Sequence, residues 1–326
     1  MTRSDTLERL CSRISAASGE DPVGSAPSWS SCLFLEVEKP WVADLAESRY
    51  FPQGVSAALD RANDNGADVR LQGLEPDEKR SVPDHHRLIY YERPGDQFAS
   101  YAKHEYVAPK EQTVQLVGAL LERRDELDRF AEFRRDTDDV RDIFVCTHGA
   151  QDTCCGSFGY STFEALHNDY ASQSGGKMRA WRTSHTGGHR LAPNLIDMPE
   201  GRYWARVVPD KIGAVIHRDG PTSDLKMNYR GWTGLRTPYE KVAEREVMAR
   251  EGWGWTALPK SGEVLSQSAD STRAEVRLDY VATDGRARAY EATVELQGTV
   301  MKANCMQPSG PAEIPQYAVV RLDSVS

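Results

Sequence analysis

Apolar runs and amphipathic segments alternate along the first 260 residues of the chain. Residues 32–37 form a short apolar run that Pro40 ends, and residues 142–146 form another, so both predict strands. Residues 114–122 place their apolar side chains on one side, and residues 238–250 have the length of a further helix. This succession predicts a fold of the α/β (α+β) class.

The C-terminal part of the chain has a different pattern. Apolar positions alternate with polar ones from 274 to 280 and from 290 to 296, and Asp284-Gly285 lies between the two runs. Strict alternation predicts strands with one buried face, and the Asp-Gly pair predicts a tight turn. We therefore expect a C-terminal β-hairpin that extends a sheet or forms a small appendage.

Breaks in the pattern divide the chain into segments. A Gly/Pro/Ser-rich stretch follows a short helix predicted at 6–17, and alternating acids and bases fill 122–142. Cys11 lies on that first helix and is interpreted as a small packing residue. The predicted segments are a polar leader (1–28), a first α/β unit (29–124), a charged linker (125–141), a second α/β unit (142–260) and a β-rich extension (261–326).

Composition restricts the class of protein. Hydrophobic residues make up 39% of the 326 positions, which is enough to build folded cores. The formal net charge of -9 argues against a nucleic-acid partner, because such proteins usually carry a basic face. An acidic surface suits docking onto a basic patch of a protein partner, although ordinary solubility explains the charge equally well.

The sequence also indicates a compartment. No run approaches the roughly 18 apolar residues that a membrane span needs, and the N-terminus has no apolar core typical of a signal peptide. Six unevenly spaced cysteines do not resemble a disulfide framework. We therefore expect a cytoplasmic protein with no membrane partner, whose thiols are available to bind metal.

Candidate chemistry is concentrated between residues 145 and 194. This stretch holds half of the six cysteines and four of the eight histidines, and sulfur together with imidazole predicts a metal centre. Cys146 ends a predicted strand, and Cys155 precedes a helix predicted at 157–170 with Ser157 as its N-cap. Unpaired N–H groups at a helix start lower the pKa of a thiol, so both cysteines are placed to bind metal as thiolates.

His185 and His189 are separated by Thr186-Gly187-Gly188. Paired glycines destabilise a helix by about 1 kcal/mol each, so a loop is predicted here. A glycine loop lets its backbone N–H groups come close to a bulky ligand. Thr186 stands where the zinc-protease motif requires a glutamate, which excludes that motif.

Two cysteines and two histidines on separate loops fit tetrahedral zinc or a two-iron cluster, and the residue types alone do not choose between them. Cys154 and Cys155 are adjacent, so one of them is expected to be a bystander. A thiol oxidoreductase that uses this adjacent pair is disfavoured because Cys-x-x-Cys is absent. His148 is interpreted either as a support for the metal site or as an ordinary hydrogen-bonded loop histidine.

Three motifs carry a resemblance to a known family. They are Cys-Thr-His-Gly at 146–149, Asp-x-Cys-Cys-Gly at 152–156, and Trp-Arg-Thr-Ser-His-Thr-Gly-Gly-His-Arg-x-Ala-Pro-Asn at 181–194. The chain resembles the sucrase/ferredoxin-like family of thioredoxin-like ferredoxins, strongly over 142–208 and weakly over 30–120. The "sucrase" in that name has no support here, since no acid/base carboxylate pair for glycoside hydrolysis is identifiable.

The resemblance implies two thioredoxin-like domains in tandem, of which the second holds a [2Fe-2S] cluster. By motif position the ligands would be Cys146, Cys155, His185 and His189. Imidazoles in place of two thiolates raise the potential of such a cluster, to roughly -150 to +300 mV in Rieske centres. A proton on a ligating imidazole could couple electron transfer to pH.

The resemblance therefore implies an electron-transfer protein that works with a redox partner protein, a reductase or an acceptor enzyme. The alternatives are a redox enzyme acting on a small molecule at the same cluster and a structural zinc-binding module. If the protein is an enzyme, an oxidoreductase is expected.

Other residues are candidates for supporting roles. Arg182 and Arg190 flank the histidine loop and would raise the potential or guide a partner, unless each is simply paired with a nearby acid. Either Cys154 or Cys305 would change the ligand set if its sulfur reached the metal. The possible supporting residues are His148, Cys154, Arg182, Gly187 and Gly188.

Overall fold

The computed structural model of the protein describes residues 10–303 and 312–325. Cys305 and the first part of the helix predicted at 6–17 lie outside these residues. The helices are α1 Cys11–Ala17, α2 Val55–Asp64, α3 Thr113–Leu121, α4 Thr153–Ala165, α5 Pro209–His217 and α6 Pro238–Glu251. The strands are β1 Ser31–Glu36, β2 Val69–Leu74, β3 His85–Glu92, β4 Ala102–Pro109, β5 Arg134–Arg135, β6 Arg141–Cys146, β7 Met178–Thr183, β8 Leu195–Met198, β9 Arg202–Trp204, β10 Tyr229–Trp232, β11 Lys260–Gln267, β12 Arg273–Val281, β13 Ala287–Met301 and β14 Glu313–Val325.

Strands β1 to β10 form one sheet in the order β10-β9-β8-β6-β7-β2-β1-β3-β4-β5. We call β1–β5 with α2 and α3 the N-terminal half, and β6–β10 with α4 and α5 the C-terminal half. Each half starts with two parallel strands joined by a helix, and two antiparallel strands then follow on the other side of the first strand. The halves meet where β2 and β7 pair at Leu74 and Thr183.

The first strand of each half is buried along its length. All six residues of β1 are buried, and so is β6 from Asp142 onward, as is typical of strands covered on both faces. Phe34 of β1 stacks on Phe144 of β6 with ring centroids 3.7 Å apart. This stack joins the two halves in one hydrophobic core.

The C-terminal part forms a separate antiparallel sheet in the order β11-β12-β13-β14. The predicted hairpin is its central pair, β12 and β13, so the expectation of a single hairpin was too small. The sheet packs its apolar face on α6, and Trp255, Tyr280 and Tyr290 meet there with ring centroids 5.1 to 6.2 Å apart. Helix α6 begins with a capping box between Thr237 and Glu240.

Some predicted elements have other boundaries. Helix α4 begins at Thr153 and not at 157, because the Asp152 carboxylate accepts the N–H of Cys154 at 2.7 Å and acts as the N-cap. Residues 125–141, predicted to be a linker, contain most of a 3-10 segment, Arg124–Phe133, and the edge strand β5. The strand predictions at 32–37 and 142–146 and the helix prediction at 238–250 are confirmed within one residue at each end.

Among the residues that the structure describes, no helix has the length and apolar character needed to cross a membrane.

Candidate metal centre

The sheet brings the predicted site residues to one edge. Strands β6 and β7 are parallel neighbours, with Cys146 level with Thr183, so the loops that follow both strands leave the same end of the sheet. Cys146 is the last residue of β6, and His185 follows β7 by two positions. Helix α4 starts at the same edge, and Cys155 is the third residue of its first turn.

Three of the four predicted ligands converge. The Nδ1 atom of His185 lies 4.0 Å from Sγ of Cys146 and 3.7 Å from Sγ of Cys155. These ligand atoms all lie within 4.8 Å of one another. Both cysteines are buried and His185 is half-buried, so the sulfurs face the protein interior and the imidazole reaches toward the surface.

The two thiols are electrostatically different. The pKa of Cys146 is well below its usual value, because Cys155 donates a hydrogen bond to it and the His185 imidazole and the Thr186 N–H lie beside it. The pKa of Cys155 is raised well above the usual value, because it shares its proton with Cys146 and is buried. The pair thus carries one negative charge readily, and a cation near both sulfurs favours the second.

Helix α4 approaches strand β6 closely at this point. A Cβ built on Gly159 would lie 2.0 Å from the carbonyl oxygen of Cys146, so any larger residue there displaces the helix. Gly159 therefore sets the distance between the strand that carries Cys146 and the helix that carries Cys155.

The histidine loop has the backbone that its glycines predict. Gly187 and Gly188 have φ values of 84° and 70°, and no helix joins His185 to His189. Buried Arg230 lies under the loop and donates to the carbonyl oxygen of Gly187 at 3.0 Å. A Cβ on Gly188 would lie 2.8 Å from that guanidinium, so close packing as well as the positive φ requires glycine.

His189 lies beside His185, with ring centroids 6.2 Å apart, but its Nδ1 faces another group. That nitrogen is 2.9 Å from Oδ2 of Asp152 and 3.1 Å from Sγ of Cys11. Since Nδ1 is engaged there, Nε2 is the ring nitrogen left for a metal. The His189 side chain is 20% exposed, whereas the Asp152 side chain is 3% exposed.

A second group of possible metal ligands, Cys11, Cys154 and Asp152, adjoins the first group, which is Cys146, Cys155 and His185. Sγ of Cys11 lies 3.3 Å from Sγ of Cys154, and both ligand atoms lie within 4.8 Å of a carboxylate oxygen of Asp152. All three residues are buried. The sequence interpretation of Cys11 as a packing residue misses this contact, for which the sequence offers no local signal. Asp152 could have been found, since it stands in the Asp-x-Cys-Cys-Gly motif.

The remaining candidates support the loops. His148 donates from Nε2 to the Val42 carbonyl at 2.9 Å, and its Nδ1 accepts the backbone N–H of His185 at 3.3 Å. Burial lowers the pKa of His148, which fits this neutral tautomer. It positions the backbone of His185 and has no ring nitrogen to spare for a metal.

Both arginines beside the histidine loop are paired with acids. Arg182 lies 2.8 Å from Glu75, and Arg190 lies 2.7 Å from Glu20. Of the two interpretations of these residues, pairing with local acids is the one that the geometry supports.

A cleft opens on the surface beside His185. It has a volume of about 480 Å³ and lies between the loop after β1 and the loops after β6 and β7. Its lining consists of Ala43, Asp44, Leu45, Ala46, Leu71, His148, Gln151, Ser184 and His185.

Comparison with known proteins identifies the family. No curated protein and no solved structure matches the chain. The model of the sucrase/ferredoxin-like family, however, matches residues 22–231, which is more than half of the sequence and includes Cys146, Cys155, His185 and His189. The chain therefore belongs to the sucrase/ferredoxin-like family.

Proposed function

We propose that the protein is an electron carrier that holds a [2Fe-2S] cluster through Cys146, Cys155, His185 and His189. The observation that carries the proposal is the convergence of two buried thiols and one half-buried imidazole at the end of β6 and the start of α4. Soft sulfur and borderline imidazole donors suit iron–sulfur chemistry. When bound, the cluster supplies a one-electron couple.

The donor set fits this group on two counts. The lowered pKa of Cys146 and the Thr186 N–H directed at its sulfur favour a thiolate ligand. His189 directs Nδ1 to the Asp152 carboxylate, which is how histidines that bind metal through the other nitrogen are usually oriented. His185 in turn is held through its backbone N–H by His148.

The two imidazoles favour a high potential, because neutral ligands replace negative ones. The half-buried His185 at the wall of the cleft is then the route by which an electron leaves or enters. Arg182 and Arg190, which are paired with acids, contribute little net charge to this edge. A redox partner protein that docks over the cleft completes the function.

We also propose that each half of the large sheet is a thioredoxin-like domain. In support, both halves have a parallel strand–helix–strand unit followed by two antiparallel strands. The N-terminal half has no group of Cys, His, Asp or Glu ligand atoms comparable with those of the C-terminal half among the described residues.

The second candidate is a redox enzyme that acts on a small molecule at the same site. The cleft beside His185 favours it, since about 480 Å³ accommodates a small substrate. Saturable turnover of a small molecule in the absence of any partner protein would select this candidate over the carrier.

The test is the visible absorption spectrum of anaerobically purified protein, measured with its iron and sulfide content. We expect broad bands between about 300 and 600 nm, with two irons and two sulfides per chain. His185→Cys should shift the bands and lower the potential, because a thiolate replaces an imidazole. A colourless protein that contains only zinc, after cluster reconstitution has been attempted, would replace the carrier with a structural zinc module.

A further inference from the structure

The second donor group has no part in the proposed cluster. Cys11 and Cys154 come from positions 143 residues apart, yet their sulfurs lie 3.3 Å from each other. Both cysteines are fully buried, and so is the Asp152 carboxylate beside them. Helix α1 contacts the segment that begins at His189, so the fold holds Cys11 in place through a full element of structure.

We propose that Cys11, Cys154 and Asp152 form a second metal site that binds a thiophilic divalent cation of the Zn²⁺ class. Two thiolates and a carboxylate are a donor set that zinc accepts. The three ligand atoms all lie within 4.8 Å of one another, as donors around a single ion do. None of its three residues is itself a proposed cluster ligand, so the two sites would hold separate ions.

The sulfur separation favours a metal over a disulfide. At a zinc–sulfur distance of about 2.3 Å, tetrahedral geometry places two sulfurs about 3.8 Å apart. The observed 3.3 Å is about 0.5 Å from that value. A disulfide requires about 2.05 Å, so the sulfurs would have to approach by more than 1 Å.

The buried Asp152 carboxylate also favours a bound cation. Cys11 and Cys154 belong to a small hydrophobic cluster that also contains Leu10, Ala192, Ala303 and Phe158. A buried carboxylate in such surroundings needs compensation, which Asp152 now receives from His189 and the N–H of Cys154. A divalent cation held by the two sulfurs would place a further positive charge beside this carboxylate.

His189 lies between the two sites. Its Nδ1–H is directed at Asp152 and Cys11, which are donors of the second site, while Nε2 remains for the first. A cation bound by Cys11 would fasten α1 to the segment that carries His189.

The experiment measures zinc and iron in the same sample of the full chain, purified with Zn²⁺ and then passed over a chelating resin. Wild type should retain about one zinc per chain. Cys11→Ser and Cys154→Ser should each lose that zinc and keep their iron, whereas Cys32→Ser should keep both metals. Cys32 is the matched control, because it is equally buried and belongs to neither group.

X-ray absorption spectroscopy at the zinc edge identifies the atoms that bind zinc in the wild-type protein, and it does not require any variant to fold. We expect at least two sulfur neighbours at about 2.3 Å. Wild type without zinc, zinc with only nitrogen and oxygen neighbours, or a Cys11–Cys154 disulfide found by peptide mass spectrometry would each overturn the proposal.

Cys146→Ser separates this proposal from the proposed function. Loss of iron with retention of zinc supports two independent sites. If the zinc instead leaves with Cys146→Ser and stays in Cys11→Ser and Cys154→Ser, then it occupies the first group, and both proposals fail together. If iron is absent from wild type while zinc follows Cys11 and Cys154, only the cluster fails.

Discussion

The two halves of the large sheet share a strand order but differ in the last residue of their first strand. The first strand of each half is six residues long and has phenylalanine in the fourth position, Phe34 in β1 and Phe144 in β6. The last residue is Glu36 in β1 and Cys146 in β6. Glu36 is buried and accepts a hydrogen bond from the backbone N–H of Arg87. Cys146 instead faces a second thiol and an imidazole.

Their cysteines behave in opposite ways. Cys32 lies inside β1, and burial raises its pKa to about 12, so it stays a neutral packing residue. The pKa of Cys146 is lowered by hydrogen bonds from Cys155 and neighbouring donors, although it is equally buried. Burial alone therefore does not decide whether a cysteine can bind metal. The polar groups placed around the sulfur do.

The largest expected effect is the difference between replacing Cys146 and replacing Cys32 by serine. Cys146→Ser should lose most of the bound iron and the visible absorption, because it removes one of the proposed cluster ligands. Cys32→Ser should retain both, since Cys32 belongs to neither group of possible metal ligands. Iron analysis and the visible spectrum measure the outcome, and equal iron loss in the two variants would contradict the assignment.

A second prediction concerns how closely each helix packs on its strand. Helix α2 of the N-terminal half buries Ala58 and Ala62, whereas α4 has Gly159 against the Cys146 carbonyl. Gly159→Ala should lower the free energy of unfolding by about 3 kcal/mol and reduce iron content, because its Cβ overlaps that oxygen.

Urea unfolding and iron analysis measure these effects. The matched control is Gly254→Ala, where an added Cβ meets no atom within 4 Å. The control should change the free energy of unfolding by no more than about 0.5 kcal/mol. If Gly159→Ala is as stable as Gly254→Ala, the close approach does not constrain the helix.

The smallest expected effect is a pH dependence in the N-terminal half. Burial, helped by Lys110, lowers the pKa of His86 to about 4 from 6.5, and its Nδ1 lies 2.9 Å from the Thr113 hydroxyl. Between these values the unfolded chain binds more protons than the folded one, so the free energy of unfolding falls as the pH falls from 6.5 to 4. The full shift corresponds to about 3 kcal/mol, which solvent screening reduces to about 2 kcal/mol.

His86→Gln removes the titrating group and keeps a hydrogen-bonding side chain. Urea unfolding at several pH values should show a flatter dependence in the variant than in wild type. Identical slopes would mean that His86 titrates as an exposed histidine does, and that the N-terminal half does not hold it neutral.

The sequence predicted much of this molecule because short-range patterns fix local structure. Buried strands read as apolar runs, and the alternation at 274–280 and 290–296 indicated β12 and β13. It misplaced the start of α4 because Ser157 and Asp152 are both acceptable N-caps. Which of the two residues caps the helix depends on the position and direction of the backbone where it leaves β6.

The sequence by itself determined the family, the alternation of strands and helices, and the concentration of sulfur and imidazole in residues 146–189. Only the tertiary structure decided that Cys11 meets Cys154, that Asp152 both caps α4 and holds His189, and that His189 faces two donor groups. Local propensity acts over a few residues. A contact across 143 positions exists only once β6, α4 and α1 have packed, so no pattern within one segment could have shown it.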